Sequence, residues 1–206
     1  MKLEIFKEMI NRTVFCALSG IIESRPSHRR EEVFMEKSGG KLIMAAANNM
    51  RLGFISRSVS DDFPDFTGVI VPAAVLQKIA KRKRGTTPLS ISVSGNEIHF
   101  HIGSVCVSSN LLPGEFIRFP RDPKELPSIL PLLFTVDRLS LLEAFRIISV
   151  AVIDYRWSPV NFYLSPGTLG LHTGDEELSA EAEIPCDYSG GKMTLTFNAK
   201  FFREII

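Results

Sequence analysis

The chain repeats itself. Val69–Ile79 (VIVPAAVLQKI) lines up with Leu195–Ile205 (LTFNAKFFREI) at a constant offset of 126 residues. Upstream, Leu42 falls on Leu169 at an offset of 127, Phe34 on Phe162 at 128, and Glu8 and Ile10 on Glu143 and Phe145 at 135. Order is kept throughout, and the drift sits in loops, where insertions are tolerated. Two copies of one domain are therefore expected, and the second stops short of the first.

Periodicity gives each copy the same elements. Phe6, Met9, Ile10, Thr13 and Ala17 make one apolar face of a helix over Leu3–Leu18, with Lys7, Glu8, Asn11 and Arg12 as its polar side. Strands follow at Val33–Glu36, Leu42–Ala47, Leu52–Arg57 and Val69–Val71, and Pro72 opens a helix from Ala73 to Lys83. Leu89–Ser94, Glu97–Ile102 and Ser104–Ser108 are three further strands joined by tight turns. After the break, Leu139, Leu142, Phe145, Ile148 and Val152 mark a helix over Thr135–Val152. Asn161–Leu164, Thr168–Thr173 and Ala180–Cys186 are strands, and TLTFNAKFFREII (Thr194–Ile206) is a strand and a helix. A full copy thus reads as two rounds of a helix and three strands, an α+β layer arrangement. Four prolines between Pro120 and Pro131 mark a linker, which sets domains at 1–120 and 134–206 with the linker at 121–133.

Composition excludes several classes. The chain has 206 residues, 45% hydrophobic and 23% charged, enough for a packed core. Net charge is +1, so any nucleic-acid contact comes from a local patch and not from a global field. Cys16, Cys106 and Cys186 lack disulfide-framework spacing; they read as small core residues of a cytoplasmic protein. No apolar run approaches the roughly 18 residues of a membrane span, so no membrane partner is expected. There is no Gly-rich phosphate loop, nucleophile elbow or carboxylate pair, so no enzyme and no cofactor is expected. His99 and His101 share one face of a strand, an arrangement open to metal chelation or to a plain structural role. Without further ligands at suitable spacing, no metal is expected.

Several motifs together resemble one family, the bacterial DNA polymerase III beta subunit, or DNA sliding clamp. LIMAAANNMRLGF (Leu42–Phe54) is similar to the family's strand, turn and His-Arg-Leu segment. GVIVPAAVLQKIAK is similar to its IVPRKAL strand–helix, and GNEIHFHIGSVCVSSNLLPGEF to the hairpin ending in SKLIDGKFP. AEAEIPCDYSGGKMTLTFNAKFFREI resembles the third-domain run containing YSG and IGFN. The resemblance covers nearly the whole chain. Leu3–Arg118 looks like the family's second domain and Phe134–Ile206 like about two-thirds of the third. The sequence departs at Asn49-Met50, where the family has Gly-His, in the shortened GEFIRFP, and in RPSHRREE.

The resemblance implies a DNA clamp fold with sheets outside and helices lining a hole. It further implies a homodimer ring around double-stranded DNA, a non-catalytic processivity factor that holds DNA polymerase and clamp-loader peptides in a groove. A truncated interaction module that pairs with replication proteins or another clamp subunit, without encircling DNA, is the other reading. Phosphate contact then falls to cations on the helices: Arg12, Lys78, Lys81, Arg82, Lys83, Arg84, Arg146, Lys200 and Arg203, with Lys7 and Arg138 beside them. Lys81–Arg84 is the densest patch, and equally reads as a solvated helix end whose cations suit the helix dipole. Arg25, Arg29 and Arg30 (with His28) form a second cationic loop, next to Glu31 and Glu32, which can neutralise it. Ala47, Met50, Arg51 and Leu52 match one edge of the family's peptide groove, with Phe119 and Pro120 as the opposite wall. On the simpler reading Leu52 is strand core and Arg51 a surface charge. Phe201, Phe202, Ile205 and Ile206 are expected to stay partly exposed unless another chain covers them.

Overall fold

Leu3, Phe6, Met9, Ile10 and Thr13 fall on one side of a helix at 3.6 residues per turn, and α1 (Leu3–Thr13) buries all five. The buried Thr13 hydroxyl is satisfied locally, donating to the Met9 carbonyl at 2.7 Å. A 3₁₀ turn, Val14–Cys16, continues the helix. These elements come from a computed structural model that describes residues 1–17, 31–48, 50–60, 64–82, 87–121, 134–152 and 158–205. The chain divides into two compact units, Met1–Leu126 and Pro127–Ile206.

In the first unit, β1 (Glu32–Ser38), β2 (Lys41–Ala47), β3 (Leu52–Ser58) and β4 (Phe66–Pro72) form an antiparallel sheet in the order β3-β2-β1-β4. The β1–β2 hairpin turns on Gly39 and Gly40, both at positive φ, the geometry a two-residue hairpin needs. Pro72 leads into α2 (Ala73–Ala80), which stops three residues earlier than its sequence suggests. Its end is fixed by Lys7 of α1, whose ammonium donates to the Arg82 carbonyl. A cation there meets the negative end of the α2 dipole and satisfies a carbonyl the helix leaves open. Lys7 is therefore buried, not part of an exposed cationic face.

β5 (Leu89–Ser94), β6 (Glu97–Ile102) and β7 (Val105–Asn110) make a second, three-stranded sheet. Leu89, Ile91, Ile98, Phe100 and Ile102 point inward and join α1, α2 and the inner face of the first sheet in one core. Phe6 meets Phe100 there, ring centroids 5.7 Å apart. β4 is a correction to the expected rounds of three strands: it closes the first sheet as a fourth member. Cys106 is a second correction. It pairs with His101 on the outer face of the second sheet and is exposed, whereas Cys16 is buried.

The second unit repeats this plan. α3 (Arg138–Ile148) has eleven residues, as α1 does, and is followed by a 3₁₀ turn at Ser149–Ala151. Asp137 caps α3 by accepting from the Ser140 backbone N–H. β8 (Pro159–Ser165), β9 (Thr168–Gly174), β10 (Ser179–Pro185) and β11 (Met193–Asn198) form a sheet in the order β10-β9-β8-β11, and α4 (Ala199–Ile205) follows. The two sheets share a register. Val33 pairs with Val71 and Val160 with Phe197; Lys37 pairs with Leu42 and Leu164 with Leu169. The offset is thus 127 in β1 to β3 and 126 in β4. Met35, not Phe34, is the counterpart of Phe162: both face their cores. Matching Phe34 to Phe162 is off by one residue, which in a strand exchanges one face for the other.

Phe202 packs on Phe145 at 5.2 Å and Phe162 at 4.8 Å between centroids, yet Phe201 and Phe202 are both only half-buried. In the first unit the corresponding helix is covered by β5–β7; the described residues of the second unit hold no counterpart of that sheet.

Candidate functional site

Alternation on the first sheet sends Phe34 of β1, Ala45 of β2, Phe54 of β3 and Ile70 of β4 to the face opposite the helices. So apolar an outer face requires a cover. The segment after β7 supplies it: Leu111 N–H donates to the Asn96 carbonyl and Leu112 N–H to the Ile70 carbonyl, both at 2.8 Å, which turns the chain back along β4. Phe116 and Phe119 then land on the sheet. Phe34 meets Phe116 and Phe119 at 5.5 Å, Phe54 meets Phe119 at 5.6 Å, and Phe116 meets Phe119 edge-on at 5.8 Å. Arg121 lies over the Phe34 and Phe119 rings at 4.4 and 4.3 Å and reaches the Glu36 carboxylate at 3.5 Å.

One turn of chain away, β2 and β3 join. Asn48 Oδ1 accepts from the Met50 N–H at 2.9 Å and the Arg51 N–H at 3.1 Å, and the Asn48 N–H donates to the Arg51 carbonyl at 3.0 Å. Met50 is 70% exposed and Leu52 38%. Leu52 pairs with Ala47 and stands two residues from Phe54, on the same side of β3. The expected groove residues therefore come together in part: Ala47, Leu52 and Phe119 border one outer face, with Met50 at its end and Pro120 half-buried beside Phe119. Arg51 departs from expectation. Its guanidinium turns to the helix side, donating from Nη2 to the Phe15 carbonyl at 2.6 Å with its Cζ 5.3 Å from the Phe15 ring centroid. Burial pushes its pKa down, offset by the neighbouring Cys16; burial likewise pushes the Cys16 thiol up. Phe34, Phe54 and Phe116 are not among the groove residues that the sequence suggests. Only the apolar alternation on both faces of β1 and β3 hints at an outer cover.

The helix cations are more scattered. Arg12 is exposed but bonded to Glu8 at 3.0 Å, one turn away, and Arg57 of β3 shares that carboxylate at 2.9 Å. Lys78 and Lys81 are exposed at the end of α2, and Arg82 is half-buried. In the second unit Arg146 of α3 and Arg203 of α4 are exposed and Lys200 is half-buried. They do not occupy equivalent places in the two copies: at the offset of 135, Arg146 falls on Asn11. Arg25, His28, Arg29, Arg30, Lys83 and Arg84 lie outside the described residues. Solvent-facing apolar groups interleave with the cations of the second unit: Leu139, Ile147 and Val150 are all exposed.

His99 and His101 do share an outer face, 6.4 Å apart between ring centroids, with the Glu97 carboxylate 3.6 Å from His99. Among the described residues no group of three His, Cys, Asp or Glu is arranged to hold a metal. Among the described residues no helix is long and apolar enough to cross a membrane.

Two repeats with matched four-stranded sheets, helices on one side of each and a strap across the other side of the first, are the architecture of a DNA clamp. Residues 1–118 match the DNA polymerase III beta subunit, central domain, and the chain belongs to that family. It is similar to the beta sliding clamp of Treponema pallidum, 25% identical over 203 residues that make up 96% of this chain and 53% of the relative. Among solved structures, a Eubacterium rectale protein named as a DNA polymerase III beta subunit superposes with a TM-score of 0.79 at 19% identity, over all of this chain and 54% of that one. A Pseudomonas aeruginosa sliding clamp bound to griselimycin superposes with a TM-score of 0.76 at 23% identity, again over the whole chain and 54% of the other. The chain spans about half the length of the relatives it matches.

Proposed function

We propose that the chain works as a non-catalytic clamp subunit of bacterial DNA replication in the cytoplasm, holding partner proteins near duplex DNA. The first unit takes the part of the family's second domain and residues 134–206 that of its third. The observation that carries this reading is the outer face of the first unit, where Phe54 and Phe119 meet beside exposed Leu52 and Met50. An apolar shelf of this kind suits the Leu or Phe anchors of a short peptide from polymerase or clamp loader. Contact with DNA rests on Lys78, Lys81, Arg146, Lys200 and Arg203, and on Arg12 where phosphate competes with Glu8. The remaining cations of Lys81–Arg84 and the Arg25–Arg30 loop add to it. Such contact is electrostatic and blind to sequence.

Exposed Leu139, Ile147 and Val150 support a second reading, in which the α3 face meets protein instead of phosphate and the chain is an interaction module that does not encircle DNA. Fluorescence anisotropy with two duplexes of unrelated sequence, over a salt series, separates the readings. The clamp reading expects equal affinities that fall steeply with salt. A strong preference for one sequence contradicts it, and no binding at low salt favours the interaction module.

A further inference from the structure

We infer that Arg51 is a positioning residue: bonded to the end of the first helical segment, it pins the β2–β3 turn so that Met50 and Leu52 stand outward as the apolar lip on which a partner's side chains seat. The inference rests on the peptide-docking reading above. It replaces the expectation, drawn from sequence, that Arg51 itself faces the peptide.

Three observations carry it. The first is strand parity. Leu52 and Phe54 share one side of β3, whereas Gly53 and Ile55 face the helices, and the Arg51 guanidinium lies on that second side. A side chain directed under the sheet does not reach a ligand lying over it. The second is the bond itself. The Arg51 Nη2 donates at 2.6 Å to the carbonyl of Phe15, inside the 3₁₀ turn that continues α1. A planar guanidinium beside an aromatic ring loses little freedom in forming such a bond, which makes it a stiffer tether than a lysine. The third is the close approach at Gly53. A Cβ there would come within 2.7 Å of the Cys16 Sγ and 3.4 Å of the Arg12 carbonyl, so the start of β3 is pressed onto the same helical end. Asn48 locks the turn from within, its one side-chain oxygen holding the N–H groups of both Met50 and Arg51. With both flanks fixed, Met50 and Leu52 project without burying themselves.

The test uses the intact chain, with griselimycin as probe because a P. aeruginosa relative binds it. Isothermal titration gives affinity, and hydrogen exchange follows the amides of residues 50–54. Arg51→Ala is expected to weaken binding by about tenfold, the scale of one lost hydrogen bond to a charged group, and to speed exchange at the turn. Arg51→Lys, which keeps a donor but loses the planar fork, recovers part of both. Met50→Ser weakens binding and leaves exchange as in wild type. Weaker binding of Arg51→Ala with unchanged exchange makes Arg51 a direct contact and overturns the inference. Faster exchange with undiminished affinity overturns it as well. Failure of the wild-type chain to bind rejects the docking reading itself, and the role of Arg51 falls with it. Binding by wild type that Arg51→Ala leaves unaltered rejects the role alone.

Discussion

Phe34 lies so close to Gly68 on the neighbouring strand that a Cβ added at Gly68 would come within 2.4 Å of the Phe34 Cε2. The missing side chain of Gly68 makes room for the ring on which Phe116, Phe119 and Arg121 rest. Gly68→Val forces Phe34 out of this seat. The expected cost is about 1–3 kcal/mol, typical of overpacking, measured by urea denaturation, with the largest rise in hydrogen exchange over residues 111–119. A neutral Gly68→Val argues against a tight strap.

The Phe6–Phe100 contact joins α1 to the second sheet of the first unit. Both rings are fully buried, so Phe100→Ala leaves a cavity and costs about 3–5 kcal/mol. A double-mutant cycle with Phe6→Leu tests whether the two rings couple; strict additivity shows that they do not.

Lys7 and Lys78 both look like helix cations in the sequence, but their environments differ. Lys7 is buried on the Arg82 carbonyl, and Lys78 is exposed. Lys7→Met is expected to cost about 1–3 kcal/mol by leaving that carbonyl unpaired, with little effect on the salt dependence of DNA binding. Lys78→Ala has the opposite signature: unchanged stability and a salt slope reduced by about 1. The reverse pattern would contradict the assignment of Lys7 as a helix-end partner.

Asp137 accepts from the Ser140 N–H at 2.8 Å and the Ser140 hydroxyl at 2.9 Å, and these bonds hold its carboxyl below the usual carboxylate range. The folded pKa lies under the unfolded one. Its contribution is therefore fully present above the unfolded value and is lost as pH falls through the folded value. Asp137→Ala should lower the thermal midpoint at neutral pH, with a gap to wild type that closes as the buffer is taken below the carboxylate range. A gap that widens in acid would show the sign to be wrong.

Much of this architecture is readable from residues alone, because its signals are local. The apolar faces of α1 and α3, offset by 135, reflect contacts within a few turns of helix, and strand alternation located β5 and β6 to the residue. Matching Phe34 to Phe162 failed because aromatic identity says nothing about which face a strand position occupies. The cover on the outer face was hidden for another reason: Leu112 bonds to Ile70 across a long stretch of chain, and no periodicity encodes that return. At the candidate site, the resemblance pointed to Leu52 and Phe119, which the fold sets on one outer face and whose part in binding is a proposal, whereas the inward turn of Arg51 depends on a carbonyl at Phe15 that only the folded chain brings near. Lys7 was misplaced because its charge masks a position that packing buries.

The most direct test of the clamp account is retention on DNA of different topology. The protein, loaded with its partners onto nicked circular plasmid, is passed through gel filtration at raised salt before and after the plasmid is linearised. A clamp subunit acting by topology stays with the circle and is lost once ends allow it to slide off. Equal retention on circular and linear DNA, or none on either, would contradict the account.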